Sequence, residues 1–93
     1  MTLHQLRIWI VVAKHQSMTK AADELHIRQP SVTQQIKALE REYGLNLYTV
    51  NGRGIEPTPA GRILLKYAKK TLLLVDNMEK EIRSGVKRRR RHR

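Results

Sequence analysis

Between Ser17 and Leu39 the chain reads SMTKAADELHIRQPSVTQQIKAL, with side chains suited to hydrogen-bonding flat edges. Gln29, Ser31, Thr33 and Gln34 crowd one short stretch. A Gln amide bonds adenine bidentately, and Ser or Thr hydroxyls bond several bases or a phosphate. The ring of Pro30 and the methyl of Thr33 suit a thymine methyl. Arg28 and Lys37 flank the group and can hold phosphates or guanine, while Ser17 and Ser31 are further candidates for backbone contact. Such residues read DNA only if a helix carries them into the major groove, N-terminal end first.

The pattern around them supplies that helix. Apolar Val32, Ile36 and Leu39, supported by Tyr43, form one stripe. Pro30 belongs at the first helical position, where its missing N–H costs nothing. Gly44 is the expected C-cap. Ahead of it, a short helix starts on the N-cap Ser17, turns Met18, Ala21, Ala22 and Leu25 inward and ends near His26. The two alanines permit a close helix crossing. Leu3 to His15 forms a third helix, capped by Thr2, although its IWIVV run also suits a strand.

Leu45, Leu47 and Tyr48 to Val50 are strand-like, Asn51-Gly52 is a turn, and Gly54-Ile55-Glu56 returns. That predicts a two-stranded wing with Arg53 near its tip. Thr58 then caps a helix running from about Pro59 to Ser84. Leu64, Ala68, Thr71, Val75, Met78 and Ile82 recur on it at heptad-like spacing, broadened by Ile63, Tyr67 and Leu74. A compact body of this size does not need so long a helix, so the length suggests a partner helix; an internal core is the alternative. The architecture expected is mainly α: a winged helix-turn-helix over residues 1–58, a linker or dimerisation helix over 59–85, and a basic disordered tail over 86–93.

Composition narrows the partner. The 93 residues carry a net charge of +11, but six positive charges lie between Lys87 and Arg93. Without them 13 basic residues face 8 acidic ones, leaving a body at +5. A basic body suits a polyanion, without separating DNA from RNA or an anionic membrane. The absence of cysteine excludes disulfides and thiolate metal sites. His4, His15, His26 and His92 lack metal spacing, and no nucleophile, base and orienting group occur together, so neither a metal, a cofactor nor an enzyme is expected. Apolar runs are far too short for a membrane span, and no basic segment precedes the first apolar run, so a cytoplasmic protein is the default. Four aromatics, mostly on apolar faces, argue against RNA stacking. A protein-interaction module built on the long helix is the alternative from a different class.

The stretches AADELHIRQPSVTQQIKALEREYGLNLY and GRGIEPTPAGRILL resemble the N-terminal DNA-binding domain of LysR-type transcriptional regulators. In that family Ala-Ala, Gln-Pro-Ser/Ala-Val-Ser/Thr, Gln-Ile, Leu-Glu, Gly, Leu-Phe/Tyr and Thr-Pro-Ala-Gly recur at these spacings. The resemblance covers residues 1 to about 85. It implies that Gln29, Pro30, Thr33 and Gln34 meet bases and backbone, and that Arg53 enters the neighbouring minor groove or touches its phosphates. It implies a homodimer in which two long helices pair antiparallel, through Leu64, Tyr67, Ala68, Thr71, Val75, Met78 and Ile82, and a tetramer in a full-length protein. The partner is then double-stranded DNA with a pseudo-palindromic operator, its half-sites about one helical turn or roughly 34–36 Å apart, and the setting is a bacterial cytoplasm, at the nucleoid. A small-molecule effector would bind only a C-terminal domain of two α/β subdomains, which has no counterpart in these 93 residues.

The chain departs from the family pattern at four points. Gln34 and Val50 stand where Arg is frequent, Pro57 replaces a usual Leu and is expected to shorten the second wing strand, and Arg28 replaces a small polar residue.

Overall fold

The computed structural model describes the backbone of residues 1–91 and the side chains of residues 1–85. Helix α1 spans Leu3–His15, α2 Met18–Leu25 and α3 Gln29–Tyr43; strands β1 (Tyr48–Asn51) and β2 (Gly54–Pro57) follow, then α4 (Pro59–Arg91).

Local chemistry sets each boundary. Thr2 caps α1 reciprocally with Gln5: each side chain accepts the other's backbone N–H at 3.0 Å. Ser17 caps α2 by accepting the Lys20 N–H at 3.1 Å. Helices α1 and α2 end on Gln16 and His26, both left-handed at φ 52° and 57°. At the end of α3 the left-handed residue is Gly44, for which that conformation is unstrained. Helix α3 begins at Gln29, where the sequence pattern starts it, but Pro30 takes the second helical position rather than the first. Both positions lack an intrahelical N–H partner, so proline is tolerated at either.

Val32, Ile36 and Leu39 of α3 are fully buried, against Ile8, Trp9 and Val12 of α1 and the small Ala21 and Ala22 of α2. Each large aliphatic side chain so buried stabilises the fold by about 1.5–3 kcal/mol. Tyr43, expected to support this stripe, is exposed instead. It is the last residue of α3, beyond the reach of the α1 crossing.

The antiparallel hairpin pairs Tyr48 with Pro57 and Asn51 with Gly54. Leu45 and Leu47 fall outside it: Leu47 enters the core, whereas Leu45 stays in solvent. Pro57 does not shorten β2 but ends it as a paired residue. Every strand of a two-stranded sheet is an edge, where a missing N–H need not break the ladder. The hairpin docks on the α1–α2 turn, where the Ile55 N–H donates to the Gln16 carbonyl at 3.1 Å. A Cβ at residue 54 would strike that same carbonyl, and Gly54 has φ 129°.

Thr58 caps α4 as expected, accepting the Gly61 N–H at 3.1 Å and donating to the Asn46 carbonyl at 2.6 Å. The first turn of α4 lies so close to its neighbours that a Cβ on Gly61 would overlap the Leu47 carbonyl and meet the Trp9 ring. The Trp9 indole N–H donates to the Gly61 carbonyl at 3.0 Å, locking α4 onto α1. Helix α4 continues to Arg91, past the end near Ser84 that its apolar pattern suggested. The expectation of a disordered tail falls on residues 86–93, whose side chains lie outside the described residues. With this helix projecting, the described molecule measures 61 × 25 × 20 Å.

Candidate nucleic-acid interface

The first turn of α3 presents the residues picked out by their chemistry. Arg28, Gln29, Pro30, Ser31 and Gln34 are exposed, and Thr33 is half-buried. Gln29 Nε2 donates to Thr33 Oγ1 at 2.7 Å. One amide N–H is thereby spent on orienting the side chain. The other N–H and the carbonyl remain, the pair that a bidentate contact with adenine requires. No side chain caps α3 and no acid occupies its first turn, so the positive end of the helix dipole stays open beside Arg28.

Three predicted contacts have structural partners within the chain. The Ser17 oxygen accepts its capping bond and keeps its hydroxyl hydrogen to give to a phosphate. Lys37 Nζ lies 3.3 Å from Glu40 Oε1 and 5.1 Å from the centre of the Tyr48 ring. The Tyr48 hydroxyl and then the Glu40 carboxylate hold its pKa above the ordinary lysine value, so the ammonium stays charged. Arg53 sits at the hairpin turn, its N–H donating to Asn51 Oδ1 at 2.8 Å. Its side chain is exposed, pairs with no acid among the described residues, and borders a polar hollow with Gln16, Asn51 and Glu56. Val50 on β1 is 74% exposed, a bare apolar side chain where an arginine is frequent in the resembled family.

Glu40 was missed by sequence reasoning. It is the one buried charged residue among those described, and its Oε2 accepts the buried Leu47 N–H at 2.8 Å. The signal was available: position 40 continues the 32–36 spacing of the apolar stripe, and an acid on that face needs a partner. Glu24 was also passed over. It gathers Lys14 at 2.9 Å and His15 at 2.7 Å on one oxygen, joining α1 to α2, and its pKa is lowered first by the Lys14 bond and then by His15.

On α4 the single stripe read from the sequence divides in two. Ala68 is buried within the chain and serves α4's own docking, whereas half-buried Leu64 packs against the core and also lines an outer hollow beside Tyr67. Thr71 and Val75 are half-buried. The outward apolar row is Ile63, Tyr67, Leu74, Met78 and Ile82, all at least half exposed. Its near end opens on an apolar hollow of about 360 Å³ lined by Tyr43, Leu45, Ala60, Ile63 and Tyr67. Lys66 and Lys70 flank the Tyr67 ring at 5.2 and 5.5 Å from its centre. Arg62, Lys66, Lys69 and Lys70 precede Thr71, whereas beyond it Asp76 and Glu79 are paired one turn on with Lys80 and Arg83.

Known proteins share this architecture. The RuBisCO operon transcriptional regulator of Allochromatium vinosum is 40% identical over 89 residues, which cover 94% of this chain and 30% of that protein. The HTH-type transcriptional regulator BenM of Acinetobacter baylyi is 44% identical over 78 residues, covering 84% of this chain and 26% of its own length. The chain thus spans less than a third of these relatives. Among solved structures, the crystal structure of the CbnR_DBD–DNA complex superposes with a TM-score of 0.87 at 37% identity, covering 92% of this chain and 99% of that one. The family described as bacterial regulatory helix-turn-helix protein, lysR family, matches residues 3–62, the span from the start of α1 to the Thr58-capped first turn of α4. With its four helices, its wing and these relatives, the chain belongs to the LysR family of bacterial helix-turn-helix transcription regulators.

Proposed function

We propose that this chain binds double-stranded DNA sequence-specifically, as the DNA-binding part of a LysR-type transcription regulator in the bacterial cytoplasm. In this reading α3 enters the major groove. Gln29, Pro30, Thr33 and Gln34 meet base edges, and Arg28 and Ser31 hold phosphates. Arg53 reaches the adjacent minor groove, and Ser17 donates to the backbone. The observation that carries it is the exposed first turn of α3, with Gln29 already oriented by Thr33 and no acid in that turn. The likeness to a chain crystallised as a DNA complex supports the same docking.

The chain acts as a homodimer on a pseudo-palindromic site. The apolar row on α4 supplies the seam, along which two such helices pair antiparallel. The hollow beside Tyr67 then receives the far end of the partner helix. Effector sensing and tetramer formation belong to a further domain of the kind the longer relatives have room for. Nothing in this action calls for catalysis.

The test is a binding titration of wild type, Gln29→Ala and Arg53→Ala on a duplex selected from random DNA and on its scrambled counterpart. Gln29→Ala should lose about 1–3 kcal/mol on the selected duplex and little on the scrambled one. Equal loss on both refutes base readout by α3. Arg53→Ala should weaken both and lower the salt slope by about one; an unchanged slope removes the wing contact.

A further inference from the structure

A reader with two separate elements works only if both reach their grooves together. The hairpin and α3 are linked by the short segment Gly44–Leu47, which has no regular structure of its own. Beyond the docking of the hairpin on the α1–α2 turn, a direct side-chain tie to α3 is made by Glu40. Its Oε2 accepts the Leu47 N–H at 2.8 Å in a buried setting. Its Oε1 lies 3.3 Å from Lys37 Nζ, whose ammonium sits over the ring of Tyr48, the first residue of β1. A single carboxylate in the last turn of α3 therefore ties the helix to the residue before the wing and, through Lys37, to the residue that begins it. Charged side chains buried to this degree are paired or destabilising, and this one is paired on both oxygens.

We propose that Glu40 is a positioning residue, which together with Lys37 and Tyr48 sets the wing relative to α3 and so couples minor-groove contact to major-groove readout. The inference rests on the DNA-binding reading above. It also reassigns Lys37, whose type and place on α3 suggested a phosphate contact. Its charge is committed to Glu40 and to the aromatic face, both within the chain. Tyr48, without a functional role in the sequence reading, becomes the wing's half of the clasp.

The experiment is hydroxyl-radical footprinting of the 93-residue chain on a duplex that wild type has selected from a random library, with affinity measured across salt concentrations. Glu40→Gln keeps an oxygen for the Leu47 N–H but loses the charge that holds Lys37. Tyr48→Leu leaves α3 intact and removes the seat on the wing. For both, protection at the flanking minor groove should fall severalfold while protection over the α3-bound centre persists, with affinity reduced about tenfold on the selected duplex. Circular dichroism establishes that each variant is folded, and if Glu40→Gln unfolds, Tyr48→Leu decides. Uniform weakening at centre and flank by a folded variant overturns the proposal, as does an unchanged flank. Lys37→Met should leave the salt slope unaltered; a slope lower by about one would return Lys37 to the phosphates and break the clasp. Failure of wild type to select any duplex is a different outcome, which removes the DNA-binding reading itself.

Discussion

The helix-turn-helix body and the far half of α4 handle apolar surface in opposite ways. In the body, Val32, Ile36 and Leu39 of α3 are wholly covered by α1 and α2, and the outer face of α3 is left to polar groups. Past Thr71, α4 keeps Leu73, Leu74, Met78 and Ile82 in solvent, each at least half exposed. Helix α3 is amphipathic towards a core the chain supplies. Helix α4 carries an inner face for α1, through Leu64 and Ala68, and an outer one that no other described residue covers. One sequence thus contains both a finished fold and an unfinished one, and the boundary lies within a single helix. Burial defines the first, and exposure the second.

Substitutions can probe that contrast, beginning with the body. Ile36→Ala should lower unfolding free energy by about 2–5 kcal/mol through lost burial and a cavity, measured by urea denaturation. The loss should be the same at all protein concentrations. A loss below 1 kcal/mol would mean the core re-forms around the gap. Gly61→Ala comes next, at about 1–3 kcal/mol, because the new methyl overlaps the Leu47 carbonyl and the Trp9 ring and must push α4 off α1. Tolerance without loss would show that α4 is more loosely seated than the Trp9 hydrogen bond implies.

Leu74→Glu probes the other region. Its effect on the folding of the single chain should stay within about 0.5 kcal/mol, yet it should abolish self-association in sedimentation. A variant that still pairs would place the seam elsewhere on α4. The smallest effect belongs to the Glu24 cluster. Its carboxyl is held below the usual range, so it stabilises the folded state above that range, and the contribution is lost as pH falls through the lowered folded value. The melting temperature of wild type should therefore drop more steeply on acidification than that of Glu24→Gln. Parallel curves would remove the cluster as a source of stability.

Much of this molecule was legible before any coordinates. Ser17, Gly44 and Thr58 act at the helix ends where their chemistry placed them, because capping is local. The exposed first turn of α3 followed from period alone. What escaped notice was settled between distant segments. Ala68 fits the outer heptad by spacing, but α4's docking turns it inward. By its type Pro57 is expected to shorten β2, but it pairs with Tyr48 at the end of a ladder with a free edge, where a missing N–H costs nothing. Glu40 looked like another surface acid because its partner, the Leu47 N–H, exists only once the chain has folded back. Lys37 had the right charge on the right helix, and its engagement by Tyr48 could not be seen in a list of letters.

The Trp9–Gly61 hydrogen bond has a practical consequence. It joins residues 52 positions apart, and Trp9 is the only tryptophan in the chain. Closing so wide a loop is entropically expensive and belongs among the slower folding events. The protein therefore carries its own optical clock: indole emission reports the closing of the core that Trp9 shares with α2, α3 and the first turn of α4. In a stopped-flow trace, the helices can form in the far ultraviolet before that light changes.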